Sequence, residues 1–176
     1  MATKLSIITH PNPILRERTR DVLASSINSP DIQNLIADMI ITMYADDGIG
    51  LAAPQVGRSV RIVCIGKLAL SMTKNPEDFE RGQDLVLINP QITKKSLRKE
   101  WETEGCLSVP GVFGEVKRHV AIGVTALSPT GATRAFDASD FLARVIQHEI
   151  DHLNGELFID HARNLVRAKR TSRTEL

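Results

Sequence analysis

Apolar residues recur at steps of three and four from Ile32 through Leu35, Ile36, Met39, Ile40 and Met43, a spacing that gathers them on one face of an α-helix. Ser29 stands as N-cap and Pro30 at the first helical position, so an amphipathic helix is predicted to start there and to end near Gly48. A second helical pattern covers residues 139–153, where Phe141, Leu142, Val145 and Ile146 are apolar and Gly155 lies just past the end. Between the two helices the period shortens. Residues 60–65 form a β-branched run closed by Gly66, and residues 85–88 a short apolar run before Asn89-Pro90; both predict strands. A longer β-rich run covers 116–127 and ends in the turn sequence Ser128-Pro129-Thr130-Gly131, after which 132–136 return as a hairpin partner. The polar stretch 67–84, with Asn75-Pro76, reads as a loop or short irregular insert. Strands grouped ahead of a late helix, without βαβ alternation, predict an α+β class with antiparallel β-sheets.

Composition narrows this picture. A chain of 176 residues with 42% apolar and 24% charged residues is long enough to bury one core without staples, so a single domain over 1–176 is expected. The formal net charge of +1 gives no long-range pull toward DNA or membranes. The apolar run at the N-terminus is too short for a signal peptide and no long apolar span follows, so a cytoplasmic protein is expected. Cys64 and Cys106 read as separate thiols, because a chain of this size needs no bridge.

The chemistry concentrates in Gln147-His148-Glu149-Ile150-Asp151-His152. Residues four apart share a helix face, so His148 and His152 can offer imidazoles to one metal ion while Glu149 reaches a water bound to it. Two surface histidines beside a solvated glutamate would give the same string. A catalytic metal normally takes three protein ligands and keeps one position open, so a third ligand is needed. The zinc-protease continuation fails here, because Phe158 occupies the third histidine's place and His161 is out of step. Glu156 sits against the helix-ending Gly155, and Glu175 lies in a polar tail. Cys106 is the better candidate: Glu104-Gly105-Cys106-Leu107-Ser108-Val109-Pro110-Gly111 sets a thiol among small and turn-forming residues where backbone can approach a metal. A small buried hydrophobe is the commoner fate of a free cysteine, and Cys64, inside an apolar run, is read that way.

Three ordered motifs, Gly48-Ile49-Gly50-Leu51-Ala52-Ala53-Pro54-Gln55, Glu104-Gly105-Cys106-Leu107-Ser108 and Gln147 to His152, resemble the pattern of the peptide deformylases, with supporting similarity from His10-Pro11 to about Asp160. The resemblance implies a hydrolase that removes the formyl group from formyl-methionyl nascent peptides and releases formate, with the sheets packed around a central metal-binding helix. It implies Cys106, His148 and His152 as metal ligands in near-tetrahedral array, with water in the fourth position and Glu149 as proton shuttle. Gln55 and the Leu107 N–H would hold the formyl oxygen, and Ile49, Gly50 and Gly105 would line the peptide groove. It also places Glu104 opposite Arg118 behind the cysteine strand. One thiolate and two imidazoles suit iron, zinc, nickel or cobalt; the resemblance favours Fe²⁺, with Zn²⁺ expected in purified material. Many bacterial members carry a longer C-terminal helix associated with ribosome docking. Here a basic stretch over 163–173 reads as a solvated helix end, which leaves at most a transient ribosome contact. His10 and His119 read as serving local packing or hydrogen bonding. The competing readings are a metallopeptidase with a different third ligand and a noncatalytic metal- or peptide-binding domain; Cys106 separates the first of these from a deformylase.

Overall fold

The computed structural model describes residues 2–73, 79 and 82–168. Helix α1 runs from Pro30 to Ala45, with the Ser29 hydroxyl accepting from the Ile32 N–H and Pro30 in the first turn, as the cap sequence predicts. It stops earlier than the expected Gly48. The Gly48 N–H donates to the Met43 carbonyl and Asp47 takes a left-handed φ of 55°.

Among the described residues, eight strands follow in two sheets. The larger has the order β1-β2-β3-β6-β7, built from Gly50–Ala52, Ile62–Ile65, Leu85–Lys95, Ala121–Leu127 and Thr133–Ser139, all antiparallel. The smaller has the order β4-β5-β8, from Lys99–Cys106, Val109–His119 and Arg163–Arg167. Strand β2 shows why its sequence is apolar without alternation. Side chains in a strand point to opposite faces in turn, and both faces here are covered. Ile62 and Cys64 join Leu35, Met39 and Met43 of α1 in one core cluster, while Val63 and Ile65 join Leu142, Ile146 and Leu153 of the second long helix in another. That helix, α3, runs from Asp140 to Leu153 behind Ser139 at the N-cap position. A third cluster, with Leu15, Val109, Val116, Leu157 and Phe158, fills the space under the smaller sheet.

Four expectations are corrected. The run 116–127 is not one strand: it breaks at Val120, with β5 in the small sheet and β6 in the large one, and the Val120 N–H and carbonyl are taken by Arg98 and Asp140. Asn89-Pro90 does not end a strand. Asn89 adopts φ 53°, the register with β6 shifts, and β3 continues to Lys95, so the pair marks an irregularity inside a strand. The stretch 67–84 opens with a short helix, α2 (Lys67–Ser71), whose Ala69 and Leu70 reach the core; residues 74–78, 80 and 81 lie outside the described part. The basic stretch does not begin as a helix. Arg163–Arg167 is an exposed strand paired with β5, and residues 169–176 of the chain lie outside the described part.

The C-terminus of α3 fixes how the chain turns away from the site. The Glu156 N–H donates to the Asp151 carbonyl and Gly155 sits at φ 80°, a left-handed residue just past the helix. A Cβ at Gly155 would stand 2.5 Å from the Arg16 carbonyl oxygen, whereas at Gly131, φ 84°, the nearest atom is 4.0 Å away. Gly131→Ala is therefore expected to cost roughly 1 kcal/mol from backbone strain, and Gly155→Ala clearly more because the clash adds to it. Urea unfolding of both variants checks the order. Equal losses would mean that the Arg16 segment yields freely.

Candidate metal centre

Helix α3 lies between the two sheets. Its apolar residues face the large sheet, and the small sheet closes over it with β4 and β5. His148 and His152 stand one turn apart on α3, and Cys106 ends β4, so the site is assembled across the joint between the sheets. The ligating atoms of Cys106, His148 and His152 all lie within 4.8 Å of one another, and Cys106 Sγ is 3.2 Å from His152 Nε2.

Glu104 sets the ring of His148. His148 Nδ1 lies 2.9 Å from Glu104 Oε2, and an ionised carboxylate can only accept, so Nδ1 carries a hydrogen and Nε2 is the nitrogen that would bind a metal in place of its own proton. The expected partner of Glu104 is present: Arg118 donates from Nε to Oε1 at 2.7 Å and from Nη2 to Oε2 at 2.9 Å. Arg144, one turn before His148, donates from Nη1 to Oε1 at 2.7 Å. Burial alone would raise the Glu104 pKa, but the Arg118 and His148 hydrogen bonds outweigh it and hold the carboxyl well below its usual range. Arg118 also donates from Nη1 to Asp151 Oδ2 at 2.7 Å, tying β5 to α3.

Burial favours the neutral ring in both histidines. In His152 it wins, helped by the nearby His148; in His148 the hydrogen bonds to Cys106 and Glu104 overcome it and push the ring up to about 10. Glu149, 4% exposed, is pushed up to about 7 by burial, and its Oε2 has no hydrogen-bond partner. His152 Nδ1 is likewise buried and unpartnered. A thiol, two imidazoles with a free nitrogen facing it, and a buried carboxylate lacking its partner form a donor set that fits one divalent ion and a water beside Glu149.

The remaining sequence candidates converge on the same cleft. A cavity of about 580 Å³ is lined by Ile49, Gly50, Gln55, Gly105, Cys106, Leu107, His148 and Glu149, with Phe141, Val145 and Phe113 among its apolar walls. The Gln55 amide is oriented by its own backbone. Its Oε1 accepts from the Ala52 N–H at 2.8 Å, which turns Nε2 toward Cys106 Sγ at 3.5 Å and Ser108 Oγ at 3.3 Å. Gly50 and Gly105 are small because there is no room: a Cβ would stand 2.4 Å from Glu149 Oε1 in the first case and 2.8 Å from the Phe113 ring in the second. Cys64 is fully buried in β2 and its thiol pKa is raised, chiefly by burial. His161 pairs with Glu156 at 2.8 Å, away from Cys106, and forms a separate group with Asp151, which Arg118 already holds. His119 Nδ1 binds the Ser96 carbonyl at 2.6 Å, the local role expected of it. Neither Glu156 nor Phe158, which is buried in the third core cluster, offers the third ligand a metallopeptidase would need. Glu175 lies outside the described residues.

Sequence reasoning missed Arg144. It sits on an otherwise apolar stretch of α3, and its partners Glu100, Glu102 and Glu104 lie about forty residues earlier in the chain. Only its charge among apolar neighbours hints at a buried partner.

Metal-dependent hydrolases are built in this way, with a carboxylate following a ligand on the same helix and a third ligand brought from elsewhere, and the fold and site place this chain among them. Within that class it belongs to the polypeptide deformylase family, which residues 4–168 match. Peptide deformylase 2 of Vibrio cholerae is 46% identical over 158 residues, covering 89% of this chain and 85% of the relative. A class I type b peptide deformylase from Acinetobacter baumannii, crystallised with Met-Ala-Ser bound, superposes with a TM-score of 0.81 at 32% identity, covering 92% of this chain and 99% of that one. The Thermotoga maritima peptide deformylase gives a TM-score of 0.80 at 34% identity, covering 91% and 98%.

The two cysteines should differ sharply in reactivity. After treatment with a chelator, a thiol reagent is expected to modify Cys106, which lines the cleft, while Cys64 reacts only on unfolding. Metal restored before the reagent is added should protect Cys106. Mass spectrometry of the labelled protein checks this, and labelling of Cys64 at a rate comparable to Cys106 would contradict its burial.

Proposed function

We propose that this protein removes the formyl group from N-formylmethionyl nascent peptides and releases formate, as one peptide deformylase domain throughout. The observation that carries the reading is the convergence of Cys106, His148 and His152 within 4.8 Å on the floor of a cleft beside the unpartnered carboxylate of Glu149. Cys106, His148 and His152 would hold the metal ion. When bound, a divalent ion of this kind acts as a Lewis acid and lowers the pKa of water from about 15.7 to about 7.

The chain's own residues do the rest. Glu149 accepts the proton of the attacking water and returns it to the leaving amine nitrogen; a base so placed contributes roughly 10² to 10⁴-fold. Gln55 Nε2, fixed by the Ala52 N–H, and the Leu107 N–H donate to the formyl oxygen as it gains charge. Strand β1 is the edge of the large sheet, so its outer backbone groups beside Ile49 and Gly50 accept an extended peptide as a further strand, with Gly105 opposite. The apolar walls from Ile49, Leu107, Phe141 and Val145 suit the unbranched side chain of a first methionine. The likeness to a relative crystallised with Met-Ala-Ser supports that substrate class.

Fe²⁺ is the favoured ion, with Zn²⁺, Ni²⁺ and Co²⁺ compatible with the same ligands. Among the described residues no helix is long and apolar enough to cross a membrane. Formylated nascent chains arise at ribosomes, so the protein works in the cytoplasm, and any ribosome contact is transient. Anaerobic assay of formate release from a formyl-Met peptide, with metal analysis of the same sample, tests the reading. A protein loaded with metal that releases no formate overturns it.

Two variants separate ligand from base. Glu149→Gln should keep the metal and lose about 10² to 10⁴-fold in turnover, because the amide keeps the shape but cannot accept the proton. Cys106→Ala should lose metal as well as rate, since it removes one of three ligands. Turnover near wild type in the Gln variant at full metal occupancy would exclude Glu149 as the proton carrier.

A further inference from the structure

The metal site joins two separately built parts. Cys106 belongs to the small sheet, and His148 and His152 belong to a helix whose core packing is against the large sheet. Hydrophobic packing is nondirectional, so it holds these parts together without fixing the height of one against the other. Three ligating atoms within 4.8 Å require that height to be fixed to a fraction of an ångström.

Arg144 has the geometry to do this. It lies four residues before His148, on the same face of α3, and its side chain is 8% exposed. Its guanidinium reads β4 at every second residue: Nη2 donates to the Glu100 carbonyl at 2.9 Å, Nε lies 2.9 Å from Glu102 Oε2, and Nη1 donates to Glu104 Oε1 at 2.7 Å. Nη1 also donates to the Val116 carbonyl of β5 at 3.0 Å. One planar group therefore grips two strands of the small sheet, through two backbone carbonyls and two carboxylates, from the helix that carries both histidines. Arg118 reaches α3 from the other side through Asp151, three residues after His148. The two arginines bracket that ligand. Only Arg144 is anchored on the helix and bonded to the strand backbone that leads into Cys106.

We propose that Arg144 is a positioning residue of the metal centre, setting the height of the Cys106 strand against the histidine helix and with it the affinity and coordination of the bound metal. Loss of Arg144 leaves Glu104 paired with Arg118 and His148, so the carboxylate is not stranded and the fold persists. What changes is the distance between the thiolate and the two imidazoles. The proposal rests on the metal-hydrolase reading above, but its measurement is metal binding. A protein that binds metal and releases no formate would overturn that reading and leave this one standing.

The test uses full-length wild type, Arg144→Met and Arg144→Lys, each stripped of metal and checked for folding by melting of the apo form. Co²⁺ affinity is measured by competition with a chromophoric chelator, and the thiolate-to-cobalt charge-transfer band of the loaded protein reports the Cys106 bond. Arg144→Met is expected to bind about 10- to 100-fold more weakly, the range for residues that orient metal ligands, with a weakened or displaced thiolate band. Arg144→Lys should fall between it and wild type, because an ammonium keeps the charge without the planar fork. A residue that merely stabilised the fold would lower the melting temperature and leave affinity and band unchanged. A folded Arg144→Met with wild-type affinity and a wild-type band overturns the proposal. Should that variant not fold, Arg144→Lys decides alone, and wild-type values for it overturn the proposal equally.

Discussion

A carboxylate taken out of water costs several kcal/mol unless donors replace the water it loses, and the demands of Glu104 organise everything around it. Its two oxygens offer about four acceptor directions. Four donors fill them: Arg118 Nε and Arg144 Nη1 on Oε1, Arg118 Nη2 and His148 Nδ1 on Oε2. Because one of these is the ring of a metal ligand, the tautomer of His148 follows from the charge balance of its surroundings. Because the others come from β5 and from α3, the same saturation holds the strand ending in Cys106 against the helix. Such a network is not a source of net stability in itself, since desolvation offsets most of its Coulombic gain. It is a device for uniqueness: any displacement of helix against strand leaves a charge uncovered.

The parts of this arrangement carried by short-range pattern are legible in the amino-acid sequence alone. His148, Glu149 and His152 announce themselves because a helix converts a spacing of four into a shared face. The caps and stripes that predict α1 and α3 are equally local. Cys106 is reached through its small, turn-forming neighbours and the failure of the other third-ligand candidates, and Gln55 through motif resemblance alone. Long-range features stay hidden. Strand β4, Lys99-Glu100-Trp101-Glu102-Thr103-Glu104-Gly105-Cys106, reads as polar chain because its alternate carboxylates face an arginine that is distant in sequence. Val120 sits inside one β-rich run, and only the existence of two sheets reveals that the chain must change partners there. Asn89-Pro90 carries a turn signature, yet the Asn89 side chain pairs with both the N–H and the carbonyl of Val22, and that distant partner lets the strand run through.

In the cleft, one small residue serves two purposes. Glu149 is nearly buried, which raises its pKa chiefly through desolvation, and the residue that allows it so little water is a glycine. Gly50 brings the backbone of the edge strand against the carboxylate, where any side chain would displace it. Gly50 and Glu149 line the same cleft, so the main chain of the edge strand and the carboxylate each restrict the shape of the other.

That the ligands come from two sides of the joint has a consequence for the molecule as a whole. A metal ion bound by Cys106 on one side and by His148 and His152 on the other is a cross-link between the small sheet and the helix packed on the large one. Ligation of the native state adds RT ln(1 + [L]/Kd) to its stability, about 2.7 kcal/mol when the free ion is at 100 times its dissociation constant. The same ion that makes the protein chemically competent is then also its fastener, and the concentration of that ion in the surrounding medium sets how far the folded state is favoured.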